Sequence, residues 1–367
     1  MKDVVRIGII GTGFARKVQI PSFQLCEGAE VVSIASASLT NAKATAEEFG
    51  IDHFTADWRE TISRDDVDLV CITTPPKFHR EMTLAAIQNG KHLLCEKPMA
   101  MNAEEAREMT EAARGAGVLA LIDHELRFQP GRLRAYEMIR EGLIGKIRHA
   151  KCHFQAPHRG DPSLPWNWWS DVEQGGGALG AIASHVIDSF HWFLGTTVSS
   201  VSCQLQSHIK ERPTSDGGMR PVTSDDESLL ILRFAEGDLL EDATGLVSVS
   251  MVEYPKYKHR VELYGTKGAL AVEARGEVFF AEASDTEWKQ VGVDFGPPIP
   301  GVPDTGFSSG FTMFAPKIVE ALREGQTEIE HAATFEDGLN IQRVLDAARE
   351  SDRTQRVVQV RRHGAAA

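Results

Sequence analysis

A glycine turn placed directly after the first apolar run restricts the fold more than any other feature. Residues 5–10 read VRIGII, and GTGFAR follows at 11–16. A buried strand that runs into G-x-G and a helix beginning at Phe14 is the opening of a βαβ unit. Gly11 allows the tight turn, and Gly13 lets a pyrophosphate approach the backbone at the positive end of a helix. The third fingerprint position holds Arg16 instead of Gly or Ala. G-x-G alone is common in loops; its place ahead of alternating strands and helices makes dinucleotide binding the expected use.

Short apolar runs recur at 31–35, 69–72, 92–95 and 119–122, as strands buried on both faces require. Helix-compatible segments lie between them at 41–49, 79–89 and 103–115, the last opening on Asn102 with Glu105 three residues on, a capping box. This alternation predicts an α/β fold, with an N-terminal Rossmann domain (a doubly wound parallel sheet) over residues 1–125. The pattern then changes. A helix is expected at 130–141, strands at 147–155, 198–206, 228–234, 246–252, 259–263 and 269–272, and helices again at 310–323 and 335–350. Residues 126–367 thus read as an α+β domain with a large, mostly antiparallel open sheet. The Pro/Gly-rich stretches 215–227 and 295–306 read as long surface loops.

Composition removes several function classes. Lys plus Arg number 39 against 52 Asp plus Glu, and no basic cluster is interleaved with aromatics, so no nucleic-acid partner is expected. No apolar stretch of about 18 residues and no basic leader are seen, so no membrane partner and a cytoplasmic setting are expected. The five cysteines are widely spaced with no C-x-x-C, which suits reduced thiols. Metal is not expected: no H-E-x-x-H occurs, and His191 points away from His185 and Asp188 on a helix.

Three strings make the reading specific: the glycine turn, TTPPKFH at 73–79 and LLCEKPMA at 93–100. Both later strings follow parallel strands, where open α/β sheets bind ligands. Together they resemble the Gfo/Idh/MocA family of NAD(P)-dependent oxidoreductases, and REGLIGKI, GGGAL…SHVID, LYGTKGAL and FEDGLNIQRVLDAARES extend the likeness over almost the whole chain. The resemblance implies that Gly11, Thr12, Gly13, Phe14 and Ala15 line the pyrophosphate and Ser36 the adenosine ribose. It further implies Thr73, Thr74, Pro75 and His79 beside the nicotinamide half, with Glu96 and Lys97 next to the ring. Lys97 also reaches substrate in this view, and Arg127 matches a recurrent arginine. The end of the second strand offers Ser36 and Ser38 but no carboxylate, which favours NADP; a Ser36–ribose bond keeps NAD open, and Lys43 is a distant cation.

Lys97 has an independent rationale, because a carbinol carbon that exchanges hydride needs a nearby group to move its hydroxyl proton. The alternative is that it anchors a ribose or carboxylate. His185 shares a helical seam with Asp188 and Trp192, beside an apolar stripe of Ile182, Val186, Phe190 and Phe193. The resemblance puts a recurrent catalytic histidine at 185, but the aspartate usual four residues earlier is Ala181 here. Asp188, His124, Glu125, His153 and His158 are candidates to replace it. Trp166, Trp168 and Trp169 either stack on a sugar ring or pack their own loop, Trp168 being the substrate-binding candidate. Gly175–Gly177 would then be flexible backbone near the cleft.

The expected activity is hydride transfer between nicotinamide and a secondary alcohol or ketone of a sugar, inositol or related polyol. Rival readings are a glycoside-cleaving or epimerising enzyme without net redox change, and a non-enzymatic NAD(P)-binding regulator. The resemblance also implies that the domain 126–367 serves substrate binding and oligomerisation, in a homo-oligomer, dimer or tetramer.

Overall fold

Six strands alternate with helices at the start of the chain, in a computed structural model that describes residues 2–297, 299 and 301–361. They are β1 (Val5–Ile10), β2 (Ala29–Ala35), β3 (His53–Thr55), β4 (Leu69–Ile72), β5 (His92–Cys95) and β6 (Ala120–Ile122). All pair in parallel, in the order β3-β2-β1-β4-β5-β6. Successive residues point to opposite faces. Val5, Ile7 and Ile9 accordingly enter one apolar cluster with Leu69 and Cys71, while Ile10, Val70 and Ile72 enter the other. Helices cover both faces. The order in which strands are added reverses between β1 and β4, which opens a crevice at their carboxyl ends.

The chain forms two compact units: residues up to 129 with 296–339, and residues 130–295 with those from 340 onward. This differs from the boundary expected at 125/126. The helix Gly306–Glu324 buries Phe311, Phe314, Ile318 and Leu322 in the same cluster as β1. Its aromatic side chains find edge-on partners there, Phe311 lying 5.5 Å from Phe23 and 6.2 Å from Phe14. Packing, not sequence proximity, assigns that segment. Two further features of the first unit were not expected: β3, and the helix Trp58–Ser63 capped by Asp57.

The second unit holds β7 (Ile147–Gln155), β8 (Val198–Gln206), β9 (Glu211–Pro213), β10 (Met219–Pro221), β11 (Glu227–Phe234) and β12 (Leu240–Ser250). It continues with β13 (Lys258–Gly265), β14 (Gly268–Val272), β15 (Val278–Glu282), β16 (Lys289–Val291) and β17 (Val358–Gln359). Nine of these strands form one sheet, β16-β15-β14-β13-β7-β12-β11-β8-β17, antiparallel except at β7–β12. Alternation on β11 buries Leu230 and Leu232 and leaves Leu229 and Ile231 exposed. Stretch 215–227 is only partly the surface loop expected: it pairs as β10 on β9, and its end buries Ser224 and Asp226. Of the stretch 295–306, residues 298 and 300 lie outside those described. All five cysteines are free thiols. Among the described residues no helix is long and apolar enough to cross a membrane.

Candidate functional site

The turn after β1 is built as its glycines demand. Gly11 has φ +107°, and a Cβ there would lie 2.5 Å from both the carbonyl and hydroxyl oxygens of Thr73. No side chain fits at that position. Gly13 is the opposite case: a Cβ would meet nothing within 4 Å, so its backbone is bare and open to a ligand. A wide π-type turn, Ala15–Gln19, then leads into the helix Ile20–Gln24. Ala15 is fully buried, so its side chain packs inward. Arg16 pairs with Glu48, and Lys43 with Glu47 at 3.7 Å, so both nearby cations have carboxylate partners. Ser38 caps the helix Leu39–Phe49 through the Asn41 N–H, and its own N–H donates to the Ser36 hydroxyl at 3.4 Å.

Thr73 continues β4 by donating its N–H to the Ile10 carbonyl at 2.8 Å. His79 was expected to border the cofactor, but it is fully buried. Its Nε2 lies 2.8 Å from the Thr74 carbonyl oxygen and its Nδ1 3.1 Å from that of Pro98. Burial pushes its pKa down to about 4, so the ring is neutral at ordinary pH. It braces the loops after β4 and β5 from behind.

Glu96 and Lys97 follow β5 and are partly buried. The Lys97 N–H donates to Glu96 Oε2 at 3.3 Å. Behind them lie two residues the sequence reading missed, Gln19 and Asp123, both fully buried. Gln19 Nε2 donates to Asp123 Oδ2 at 2.7 Å and reaches Glu96 Oε1 at 3.5 Å. Burial, with Glu125 and Glu96 close by, holds the Asp123 carboxyl well above the usual carboxylate range. Burial also raises Glu96, against the opposing charge of Lys97. The one available signal for Asp123 was its position just past the end of a parallel strand. His124 and Glu125 follow it and are buried too.

Arg127 is likewise buried, with its guanidinium 3.4 Å from Asp337 and from the His331 carbonyl. Burial pushes Asp337 up, but Arg127 and the Thr334 hydrogen bonds outweigh it and leave the carboxyl below its ordinary value. Arg127 therefore ties the segment before the last helix into the first unit.

The remaining candidates belong to the second unit. The helix Ser184–Leu194 is buried along its whole length, His185 and Asp188 included, so the seam expected beside the apolar stripe is itself buried. The Arg132 guanidinium donates to Ser189 Oγ at 2.7 Å, and Ser189 donates to the His185 carbonyl at 2.7 Å. His191 accepts the Val198 N–H at 3.0 Å, which fixes the exit of the helix. The glycine run is held rather than flexible. A Cβ on Gly176 would lie 2.4 Å from the Trp169 carbonyl oxygen, and one on Gly177 (φ +114°) 2.2 Å from Asp225 Oδ1. Asp225 was also missed: its Oδ2 accepts the Leu179 N–H at 2.7 Å, and burial pushes its pKa up to about 6. Trp166 donates its indole N–H to the Pro221 carbonyl and carries the Arg220 guanidinium 3.6 Å over its ring. Trp169 lies under Arg159. Two of the three tryptophans thus pack the loop, and Trp168 stays partly exposed. His153 faces Glu253 at 3.7 Å, and His158 lies beside the Tyr257 ring. Among the described residues no group of three or more His, Cys, Asp or Glu could hold a metal ion.

A nucleotide-binding oxidoreductase is the class that the first unit defines, by its strand order and its bare glycine turn. The chain belongs to the Gfo/Idh/MocA family: residues 5–124 match its oxidoreductase profile with an NAD-binding Rossmann fold, and residues 133–271 its C-terminal domain. Levoglucosan dehydrogenase of Pseudarthrobacter phenanthrenivorans is 31% identical over 95% of this chain and 96% of its own. The 1,5-anhydro-D-fructose reductase of Ensifer adhaerens is 38% identical over 59% of this chain and 65% of its own. A solved structure of levoglucosan dehydrogenase with NADH and L-sorbose superposes with a TM-score of 0.88 at 29% identity, covering 98% of this chain and 100% of that one.

Proposed function

We propose that this protein is a dehydrogenase/reductase that moves hydride to or from a secondary alcohol or ketone of a sugar, anhydrosugar or related polyol. The observation that carries the reading is a lysine, Lys97, at the carboxyl end of β5 in a sheet whose Gly13 backbone is bare. The named relatives, a levoglucosan dehydrogenase and an anhydrofructose reductase, support the substrate class.

The first unit fits a dinucleotide by its own geometry, since Gly13 leaves a cradle and Gly11 holds the turn. Residues Gly11, Thr12, Gly13, Phe14 and Ala15 would hold the pyrophosphate through their backbone. Ser36 would meet the ribose, and Thr73, Thr74, Pro75, Glu96 and Lys97 the nicotinamide half. When bound, nicotinamide supplies or accepts the hydride. The protein's part is the proton: Lys97 or His185 takes it from the substrate hydroxyl in oxidation and returns it in reduction. Whichever group accepts it must begin deprotonated, so kcat/KM for oxidation rises with pH. Trp168 would offer a sugar an apolar ring face. We also propose a homo-oligomer; Ile231 and Leu246, paired across β11 and β12, form an exposed apolar patch on the sheet.

The test is absorbance at the reduced-nicotinamide band during a screen of levoglucosan, other sugars and inositols with NAD and with NADP. Turnover of at least one is expected, and none with either cofactor would overturn the reading. The lack of a carboxylate after β2 favours NADP, whereas the pairing of Arg16 and Lys43 with glutamates takes away its obvious phosphate partners. Ser36→Asp is expected to weaken NADP binding by roughly tenfold or more and to spare NAD, as read by titration calorimetry.

A further inference from the structure

We propose that Asp123 is a positioning residue kept as a neutral carboxylic acid, whose proton binds the Glu96 carboxylate and so fixes the turn that presents Lys97. Sequence and register bring the pair together. Cys95 and Ile122 are partners on β5 and β6, so the next residues, Glu96 and Asp123, leave neighbouring strands at the same level. The Asp123 N–H donates to the Cys95 carbonyl at 2.8 Å, and the Glu96 N–H to that of Ile72 at 2.9 Å, which locks both backbones.

One amide then serves two acids. Gln19 Nε2 reaches both carboxyl groups, at 2.7 and 3.5 Å, which sets the two acids side by side. Two carboxylates that close, away from water, cannot both ionise. The groups facing Asp123 decide which one keeps the proton. Glu96 and Glu125 press on it as anions, the thiols of Cys71 and Cys95 are neutral, Gln19 is a neutral donor, and Lys97 opposes the anions as a cation. Glu96 accepts the Lys97 backbone N–H, a hydrogen bond that favours the ionised form, so Glu96 carries the charge and Asp123 the proton. A second observation agrees. Asp123 Oδ1 is buried and takes no hydrogen bond from any donor among the described residues, as suits an oxygen that itself bears hydrogen.

The kinetic consequence rests on the reading of Lys97 as the proton-handling group; the protonation state does not. The experiment therefore has two arms on the full-length protein. Infrared difference spectra at neutral pH should show a neutral carboxylic-acid carbonyl band that disappears in Asp123→Asn. In sugar oxidation, Asp123→Asn offers Glu96 an amide N–H in place of the acid, so it should keep kcat within about threefold and leave the pH profile unmoved. Asp123→Leu has no donor and should lose kcat by roughly tenfold or more, since small misplacements of a reacting group are costly, while dinucleotide binding by fluorescence shows that it is folded. Gln19→Leu should fall between them. Absence of the band in the native protein, or its persistence in Asp123→Asn, would overturn the proposal. So would an Asp123→Asn variant with a displaced pH profile or a loss as large as that of Asp123→Leu. A native protein that turns over no sugar fails the functional reading alone, and the band still decides the proposal.

Discussion

The His79 ring lies between the carbonyl oxygens of Thr74 and Pro98, where the loop after β4 meets the loop after β5, and as a neutral imidazole it donates a hydrogen bond to one of them. Its neutrality has a measurable cost in acid. The free group titrates near 6.5 and the buried one at about 4. Between those values the unfolded chain takes up a proton that the folded protein refuses, so stability is lost as pH falls through that window and is unaffected above it. From pH 7 to pH 5 the group alone should cost about 2 kcal/mol. Urea unfolding at both values should show the native protein losing that much more than His79→Leu, and equal losses would refute the assignment. At this scale the legible residues were those whose chemistry is local. Gly11 and Gly13 are marked by backbone demand, and Glu96 and Lys97 by their place after a strand. Gln19 and Asp123 were not legible, because their bond spans 104 residues and exists only once β1, β5 and β6 are aligned.

The helix Ser184–Leu194 depends on a carboxylate from a different element, since Asp225 receives the Leu179 N–H where the preceding turn begins. Burial of Asp225 sets a pH response of opposite sign to that of His79. Its pKa rises from 3.8 to about 6, so the folded state holds a proton that the unfolded state has released, and stability falls as pH rises through that range. Asp225→Asn keeps an acceptor oxygen and removes the charge. Relative to the native protein, it should gain about 2 kcal/mol between pH 4.5 and pH 7.5; chemical denaturation at the two values checks this, and a constant difference would contradict it. Long strands were readable from their pattern, and β7 and β8 have the bounds expected at 147–155 and 198–206. The missed elements are mostly three-residue strands such as β3, β9, β10 and β16, too short to show a period of two. The all-round burial of the histidine helix was also hidden, because His185, Asp188 and Trp192 read as a seam beside the apolar stripe until the sheet is placed around them.

At the scale of the whole molecule, the first unit is completed by a segment that lies far along the chain. Phe311 is fully buried against Phe14 and Phe23, so Phe311→Ala should destabilise the first unit by roughly 3–5 kcal/mol. Differential hydrogen exchange should show β1 and β2 losing protection in that variant; loss confined to the second unit would contradict the division. Sequence order alone placed this segment with its neighbours in the chain, and only the aromatic packing reassigns it. The class of the molecule was legible early, since three strings at strand ends suffice to mark the family. The chemistry proposed for it gives the proton-handling part to Lys97 and His185. The most direct measurement is the rate of reduced-nicotinamide formation on the best substrate for the native protein, Lys97→Met and His185→Ala, alongside dinucleotide affinity by titration. Both variants should bind the cofactor as the native protein does and lose about a hundredfold or more of the rate. Full activity in either variant, with the fold intact, would contradict the account.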